Sequence, residues 1–454
     1  MQLTKKQFWL FLGSLVLVAA LTCSLTFFLT RANTPEKIRE VPVPVEYPAV
    51  EGVPDSYREL CEALRRYSYY GLPADTDYAG LFARAIVAST GDPYAEYMTA
   101  AEFAEYSANL AGEFYGIGAS VDSYETEDGE PAIRLLAVFA GSGAEAAGLL
   151  PGDLIVGVEG ESIRSIGGAA KALLRVRGEA DTTVTLTVRR GAAAPKDCTD
   201  RRSLCRKKTV YSALLTRGSG DKVAYIRITD FNTVTLSEFV AAVDAAETAG
   251  VSGMIFDLRY NGGGYLSTVA QMLAYLLPDG DIAHIRYGAE ALQENNYTIS
   301  SGDGTVRNGG EVALSEEQVA HAVRVPMAVL VNGSTASAAE LFTSALRDYA
   351  ANDEQYPDFP PVTIVGSKTY GKGCMQKPFM LSDGSYLKVT VALYDPPSGK
   401  NYHGVGIAPT DGCAVKANDA RVGDLYLKAS EGDLTLPSGE TDTVLARALE
   451  AFNR

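Results

Sequence analysis

The sequence predicts a multidomain α/β protein, and three observations carry that expectation. From Thr209 onward, short apolar runs rich in Val and Ile alternate with helical patterns, the mark of strands joined by helices. Ahead of that region, Glu113 to Arg189 is β-rich and punctuated by glycine turns, whereas Asp55 to Leu110 is helical by the spacing of its apolar residues. The chain has 454 residues, 46% hydrophobic and 21% charged, enough for two or three domains with cores of their own. A formal charge of −16, with Arg201 to Lys208 as the one basic block, argues against nucleic acid as a partner.

At the start, Gln7 to Thr30 carries no charge, follows Lys5 and Lys6, and ends at Arg31. A stretch of that length spans a bilayer, and the flanking lysines place the N-terminus in the cytoplasm. Residues 1–31 are therefore expected to form a transmembrane signal-anchor, giving a single-pass protein of the cell membrane with its body outside the cytoplasm. A signal peptide cut near Ala19-Ala20 is the competing reading. Residues 32–54, rich in Pro, Glu and Val, read as an extended linker. Residues 55–111 read as a small helical domain. Tyr57, Leu60, Cys61, Leu64 and Tyr67 share one face, and Tyr78, Leu81, Phe82 and Ile86 another. Asp92-Pro93-Tyr94 breaks the run, and Thr99 starts a further helix through Phe103 and Tyr106.

Residues 112–194 change character. F-Y-G-I-G-A-S-V and A-I-R-L-L-A-V-F are strand-like, Pro151-Gly152-Asp153 is a turn feeding L-I-V-G-V, A-A-K-A-L-L-R-V is helical, and T-V-T-L-T-V-R is a final strand. That order, with G-D-x-I-x-x-V-x-G, resembles a PDZ domain, β-rich with two helices. Such domains take an extended peptide as an added strand and hold its terminal carboxylate on the N–H groups of a glycine loop. The resemblance assigns that loop to Gly116, Ile117 and Gly118. Pro195 to Lys208 reads as a polar insertion. Cys198 and Cys205 flank a short polar loop there, and a local disulfide and two free thiols both fit.

Residues 195–416 form the expected α/β core. V-A-Y-I-R-I precedes a helix from Leu236 to Ala249, and M-I-F-D-L-R precedes N-G-G-G and a helix through Leu277. Asp279 to Glu317 is polar and glycine-rich, a hairpin excursion. V-P-M-A-V-L-V, V-T-I-V-G and S-Y-L-K-V-T-V-A-L-Y are further strands. Residues 417–454 are a tail with one helix, Thr441 to Phe452.

The chemistry centres on Val331 to Leu341, which reads as strand, tight turn and helix. Ser337 sits at the helix N-terminus, where free N–H groups favour developing negative charge. Ser337 with Glu340 three residues on also makes a capping box, and on this stretch alone cap and nucleophile are both open. The chain has three histidines, His284, His321 and His403, none in a small-residue turn beside an acid, so a Ser-His-Asp triad is poorly supported. No H-E-x-x-H or P-loop occurs, and no metal or cofactor is expected. A lysine serves as base when burial favours its neutral form, and Lys372, between Gly371 and Gly373, is the candidate. In a strand beginning at Gly373, Gln376 and Cys374 share the face of Lys372, and Gln376 is placed to orient its amine. Asp348 lies roughly 16 Å along the helix from Ser337 at about 1.5 Å per residue, too far to touch it. The Gly262-Gly263-Gly264 turn ends a strand on the same side of the sheet, so the N–H groups of Gly263 and Ala338 are candidates for an oxyanion hole.

With these pieces in place, the chain resembles the C-terminal processing peptidases, the tail-specific protease family. The matching segments are D-P-Y-A-E-Y-M, G-E-F-Y-G-I-G-A, the PDZ-like region, D-L-R-Y-N-G-G-G, S-T-A-S-A-A-E, Y-G-K-G-C-M-Q and G-V-G-I-A-P, in that order from residue 55 to 415. The resemblance implies a serine endopeptidase with a crotonase-like α/β core, Ser337 as nucleophile, Lys372 as general base and Gln376 as its orienting partner. Partners implied are protein or peptide substrates with accessible C-termini, the membrane through the N-terminal helix, and a second copy in a possible homodimer. Three departures stand out: extra residues from Asn352 to Pro361, Thr410 between Pro409 and Asp411, and the Cys198–Cys205 insertion. The rival reading is a PDZ scaffold that binds protein C-termini without cutting; an acyltransferase on a related core is a weaker third.

Overall fold

Local signals place the first helices. The computed structural model describes residues 77–452 except 127, 140, 180, 302–320 and 416–441, together with Leu60. α1 (Tyr78–Ala88) starts where the Asp77 carboxylate accepts from Gly80 N at 2.9 Å. Of its predicted apolar face, Leu81 and Ile86 are exposed. The Asp92-Pro93-Tyr94 turn leads to β1 (Glu96–Met98). α2 (Ala100–Ala111) begins at Thr99 in a capping box with Glu102 and ends at Gly112, whose φ of 69° suits glycine. The anchor expected over 1–31, the linker over 32–54 and nearly all of 55–76 lie outside the described residues. Among the described residues no helix is long and apolar enough to cross a membrane.

The next elements are β2 (Glu113–Gly116), β3 (Ala119–Glu125), β4 (Pro131–Val138), α3 (Gly143–Ala146), β5 (Leu154–Val158), β6 (Glu161–Ser162), α4 (Ile163–Ile166), α5 (Ala169–Val176) and β7 (Thr183–Arg189). Ile133, Leu135, Ile155, Ile163 and Leu186 fill their common core. Pro195 to Lys208, expected as an insertion, instead forms β8 (Lys196–Arg201) along β7 and β9 (Ser203–Arg206) along β2. The sheet order β3-β4-β5-β7-β8 thus continues past residue 194. The strand pattern was concealed because β8 is solvated on one face and turns only Cys198 and Asp200 inward, neither a strong apolar signal. Cys198 and Cys205 are free thiols on these two strands.

The core sheet runs β10 (Val210–Thr216), β11 (Lys222–Ile228), β12 (Met254–Asp257), β15 (Met327–Val331), β16 (Val362–Gly366), parallel from β11 to β16, with β10 antiparallel at the edge. The two central strands, β12 and β15, are buried along their whole length because both faces are covered. Ala224, Ile226, Met254, Phe256, Met327 and Val329 face α6 (Thr235–Thr248), α7 (Leu266–Leu276) and α8 (Ala338–Ala350). The alternating set, Val223, Tyr225, Ile255, Ala328 and Leu330, faces α9 (Thr443–Ala451). The C-terminal tail helix is therefore a layer of the core. Burying Val444 and Leu445 contributes about 1.5–3 kcal/mol each. Asp442, which caps α9, also accepts from Nη1 and Nη2 of buried Arg259, whose Nε and Nη2 donate to Asp257. A second, antiparallel sheet packs beyond the helices: β1-β18-β13-β14 with β17 on β18, where β13 is Asp281–Tyr287, β14 Tyr297–Ser300, β17 Cys374–Met380 and β18 Tyr386–Asp395. The hairpin expected after Asp279 is β13–β14, built into this sheet.

Candidate active site

β15 is fully buried and delivers the chain to a turn, Asn332–Ala336, knotted to the end of β12. The Asn332 side-chain oxygen accepts from Tyr260 N and Ser334 N, Thr335 Oγ1 donates to Leu258 O at 2.9 Å, and Ala336 N donates to Asn261 O at 3.0 Å. Held at both ends, the chain enters α8 through Ser337 at φ 59°, ψ −122°. A side chain is rarely stable there, and such strain is found where a residue is displayed for chemistry.

Lys372 follows β16 on a loop pressed against residues 401–406. A Cβ on Gly371 would lie 2.9 Å from Gly406 N, and one on Gly373 would lie 2.6 Å from Asn401 Oδ1. The two glycines are thus required by close packing. The Lys372 side chain is half-buried, with Nζ 4.7 Å from the centre of the Tyr94 ring. Burial holds its amine below the usual lysine range; Lys388 acts in the same direction, while Cys374, Asp92 and Glu340 oppose it.

The two loops are tied together by Glu340. Its carboxylate is fully buried: Oε2 accepts from Ser337 N at 3.0 Å and Lys372 N at 2.7 Å, and Oε1 from Gly371 N at 2.7 Å and Thr369 Oγ1 at 2.5 Å. The residue that reads as a helix cap in the sequence is the cross-link between the candidate nucleophile and the candidate base.

Buried Tyr394 adds a second tie. Its hydroxyl is 2.8 Å from Lys372 O and 3.2 Å from Ser337 Oγ. A phenol has one proton; the shorter contact takes it, so Ser337 donates in the longer one. Burial raises the Tyr394 pKa well above the ordinary tyrosine range, so it stays protonated.

The remaining expected residues are placed as follows. Gln376 Nε2 donates to Cys374 Sγ at 3.2 Å and Thr390 Oγ1 at 3.1 Å and not to the Lys372 amine; a β-bulge between Met375 and Gln376 breaks the simple alternation. Gly263 packs on Ser337, since a Cβ there would lie 2.7 Å from the serine Cβ and 3.1 Å from Ala338 N. Its N–H, however, donates to Asn261 Oδ1 at 2.8 Å. Ala338 N is the first helical amide and has no intrahelical acceptor. Asp348 is remote, accepting from Ser398 N and Oγ at the other end of α8. His284 contacts Thr298, His321 stacks on Tyr275, and exposed His403 lies 6.3 Å from the Tyr94 ring. Among the described residues no group of three or more His, Cys, Asp or Glu side chains is placed to hold a metal.

In the PDZ-like region, Gly116 ends β2, Ile117 is buried with its carbonyl accepting from Ala144 N, and Gly118, at φ 80°, packs directly on Ser142. β3 follows at once. Among the described strands it pairs only with β4, and α5 packs against β3, β4 and β5.

A serine at a strained strand–helix turn, bolted to a half-buried lysine and joined to a module with an open strand edge, defines a class: a serine peptidase coupled to a peptide-binding domain. The comparisons narrow it. Residues 222–411 match the model of peptidase family S41, and residues 135–190 match the PDZ domain. The chain is 31% identical over 377 residues to the carboxy-terminal processing protease CtpA of Bacillus subtilis, covering 83% of this chain and 71% of that one. It is 30% identical over 328 residues to a carboxyl-terminal-processing protease of Synechocystis sp., covering 72% and 69%. A crystal structure of a candidate S41 protease from Bacteroides fragilis shares the fold at a TM-score of 0.52 and 22% identity, over 89% of this chain and 98% of that one. The chain belongs to peptidase family S41, among the C-terminal processing peptidases, and is a serine-type endopeptidase with a PDZ domain.

Proposed function

We propose that the protein is a membrane-anchored endopeptidase, its body outside the cytoplasm, which captures substrate C-termini on its PDZ domain and cleaves with Ser337 as nucleophile, Lys372 as general base and Gln376 as the partner that orients the base. The observation that carries the reading is Glu340 Oε2, which accepts from the backbone N–H of both Ser337 and Lys372 and so fixes the two loops against each other. Lys372, kept neutral more readily by its burial, takes the Ser337 proton as Oγ attacks the scissile carbonyl. The Ala338 N–H stabilises the oxyanion, with Gly263 as second donor once its N–H leaves Asn261. Lys372 then protonates the leaving amine, and water hydrolyses the acyl-enzyme. Ser337 Oγ faces Tyr394 in the described conformation, so substrate binding includes rotation of the serine toward the amine. The open edge of β3 beside the Gly116–Gly118 loop supports capture of a peptide C-terminus as an added strand.

The test is digestion of a flexible polypeptide with an apolar C-terminus by purified variants. Ser337→Ala and Lys372→Arg are both expected to be inactive, the latter because arginine does not become neutral, while Ser337→Ala still binds the C-terminal peptide. Undiminished proteolysis by either variant overturns the assignment. The anchored, extracytoplasmic placement is tested by membrane fractionation and by cleavage of the body by protease added outside intact cells; recovery in the soluble cytoplasmic fraction refutes it.

A further inference from the structure

The D-P-Y turn at Asp92 to Tyr94 has no assigned task in the chemistry above, yet it reaches the candidate base from far away in sequence. Pro93 fixes φ inside the turn, and Asp92 Oδ1 accepts from Tyr94 N at 2.9 Å, which sets the direction of the Tyr94 side chain. β1, two residues on, pairs antiparallel with β18 in the register Glu96 to Lys388, and the Lys388 ammonium meets Glu96 Oε2 at 2.7 Å. The turn is thereby held on the sheet that carries Gln376. From it, the Tyr94 ring lies under Lys372 Nζ at 4.7 Å. The Asp92 carboxylate accepts from Thr390 N at 2.8 Å and Thr390 Oγ1 at 3.1 Å, and that hydroxyl accepts from Gln376 Nε2 at 3.1 Å.

We propose that the Asp92-Pro93-Tyr94 turn is a positioning element for the general base: the Tyr94 ring seats the Lys372 amine, and Asp92 holds Gln376 through Thr390. The inference rests on Lys372 being the base. The ring has two opposed effects on the amine. Its negative face attracts the ammonium, and its bulk excludes the water that would solvate the ammonium. A residue with only a structural role has neither signature.

The other groups facing this amine are Cys374, Lys388, Asp92 and Glu340, and Tyr370 and His403 neighbour Tyr94 itself. Every variant at Tyr94 removes its hydrogen bond with Tyr370, so Tyr94→Phe, which loses the hydroxyl and keeps the ring, is the reference for the other two. Tyr94→Phe keeps both effects and leaves the acid limb of the kcat/KM pH profile in place. Tyr94→Leu keeps the bulk and removes the aromatic face; the limb moves to lower pH by about half a unit or more. Tyr94→Ala admits water and moves it to higher pH. Asp92→Asn removes a charge that favours the Lys372 ammonium, so the limb moves to lower pH, and it also lowers kcat with little change in KM, because Gln376 loses its support.

Profiles are measured on the full chain with a quenched fluorescent polypeptide, alongside Lys372→Ala and thermal unfolding of each variant. Limbs of Tyr94→Leu and Tyr94→Ala that coincide with that of the parent, or move in the same direction, overturn the proposal. If Tyr94→Ala does not fold, the separation of Leu from Phe decides it alone. Activity retained by Lys372→Ala overturns the assignment of the base itself, an outcome distinct from a null result at Tyr94.

Discussion

Glu340→Gln changes one atom of the side chain and leaves its shape, yet the structure requires it to be costly. The carboxylate accepts four hydrogen bonds in a fully buried setting, two on each oxygen. A glutamine keeps one oxygen as an acceptor and turns an NH2 group toward two backbone or hydroxyl donors. Two charge-assisted bonds are lost at about 1.5–3 kcal/mol each, so the expected destabilisation is ~3–6 kcal/mol. Whichever way the amide is turned, one pair of donors is left without an acceptor: Ser337 N with Lys372 N, or Gly371 N with Thr369 Oγ1. The loops that carry Ser337 and Lys372, the proposed nucleophile and base, then drift apart, so cleavage falls far more than stability predicts. Urea unfolding gives the first quantity, and kcat/KM well below the unfolding midpoint gives the second. A variant within about 0.5 kcal/mol of the parent and fully active would refute the claim that this carboxylate joins the two loops.

Other outcomes follow from the same geometry. Ser337→Gly relieves a backbone conformation that costs roughly 1–3 kcal/mol for a residue with a side chain, so its unfolding midpoint rises while cleavage is lost; a lowered midpoint contradicts the strain. Asp200, buried with its carboxylate oxygens unpaired, has its pKa pushed up from 3.8 to about 6, chiefly by burial. Its folded form binds the proton more tightly than the unfolded form, so its stabilising effect is present below about pH 4 and lost as pH rises through about 6. Asp200→Asn is therefore more stable than the parent at pH 7 by ~2–3 kcal/mol and nearly equal at pH 4, read from denaturation at both pH values. Asp442→Ala leaves buried Arg259 half-paired and unhooks the cap of α9, a loss of ~3–5 kcal/mol in urea unfolding. A loss under 1 kcal/mol would mean that α9 is held by its apolar face alone.

Much of the fold was legible because its signals are local. Thr99 announced the start of α2, and short apolar runs rich in Val and Ile marked the buried strands. The glycines on either side of Lys372 set it apart in the sequence, and the close packing they permit against the 401–406 segment is seen only in the structure. Ser337 and Lys372 could be singled out because a hydroxyl at a strand–helix turn and a lysine between glycines are short-range patterns. The polar strands β8 and β9 were missed because burial of one small face leaves almost no apolar period. Nothing local in the tail helix assigns it to the core; only its docking shows that one face of the sheet would otherwise be bare.

The sequence by itself determined which groups are available: a serine at a helix start, a lysine between two glycines, a glycine loop ahead of a strand, and a PDZ-like domain pattern. The tertiary structure alone decided how those groups are held. It turned Glu340 from a cap into the link between two loops, put Tyr394 against Ser337, committed the Gly263 amide to Asn261, and brought Tyr94 from the N-terminal region under Lys372. The physical reason is range. Periodicity, capping and turn chemistry act within a few residues, whereas a buried carboxylate or an aromatic face acquires its role from whatever distant segment the packed core places beside it.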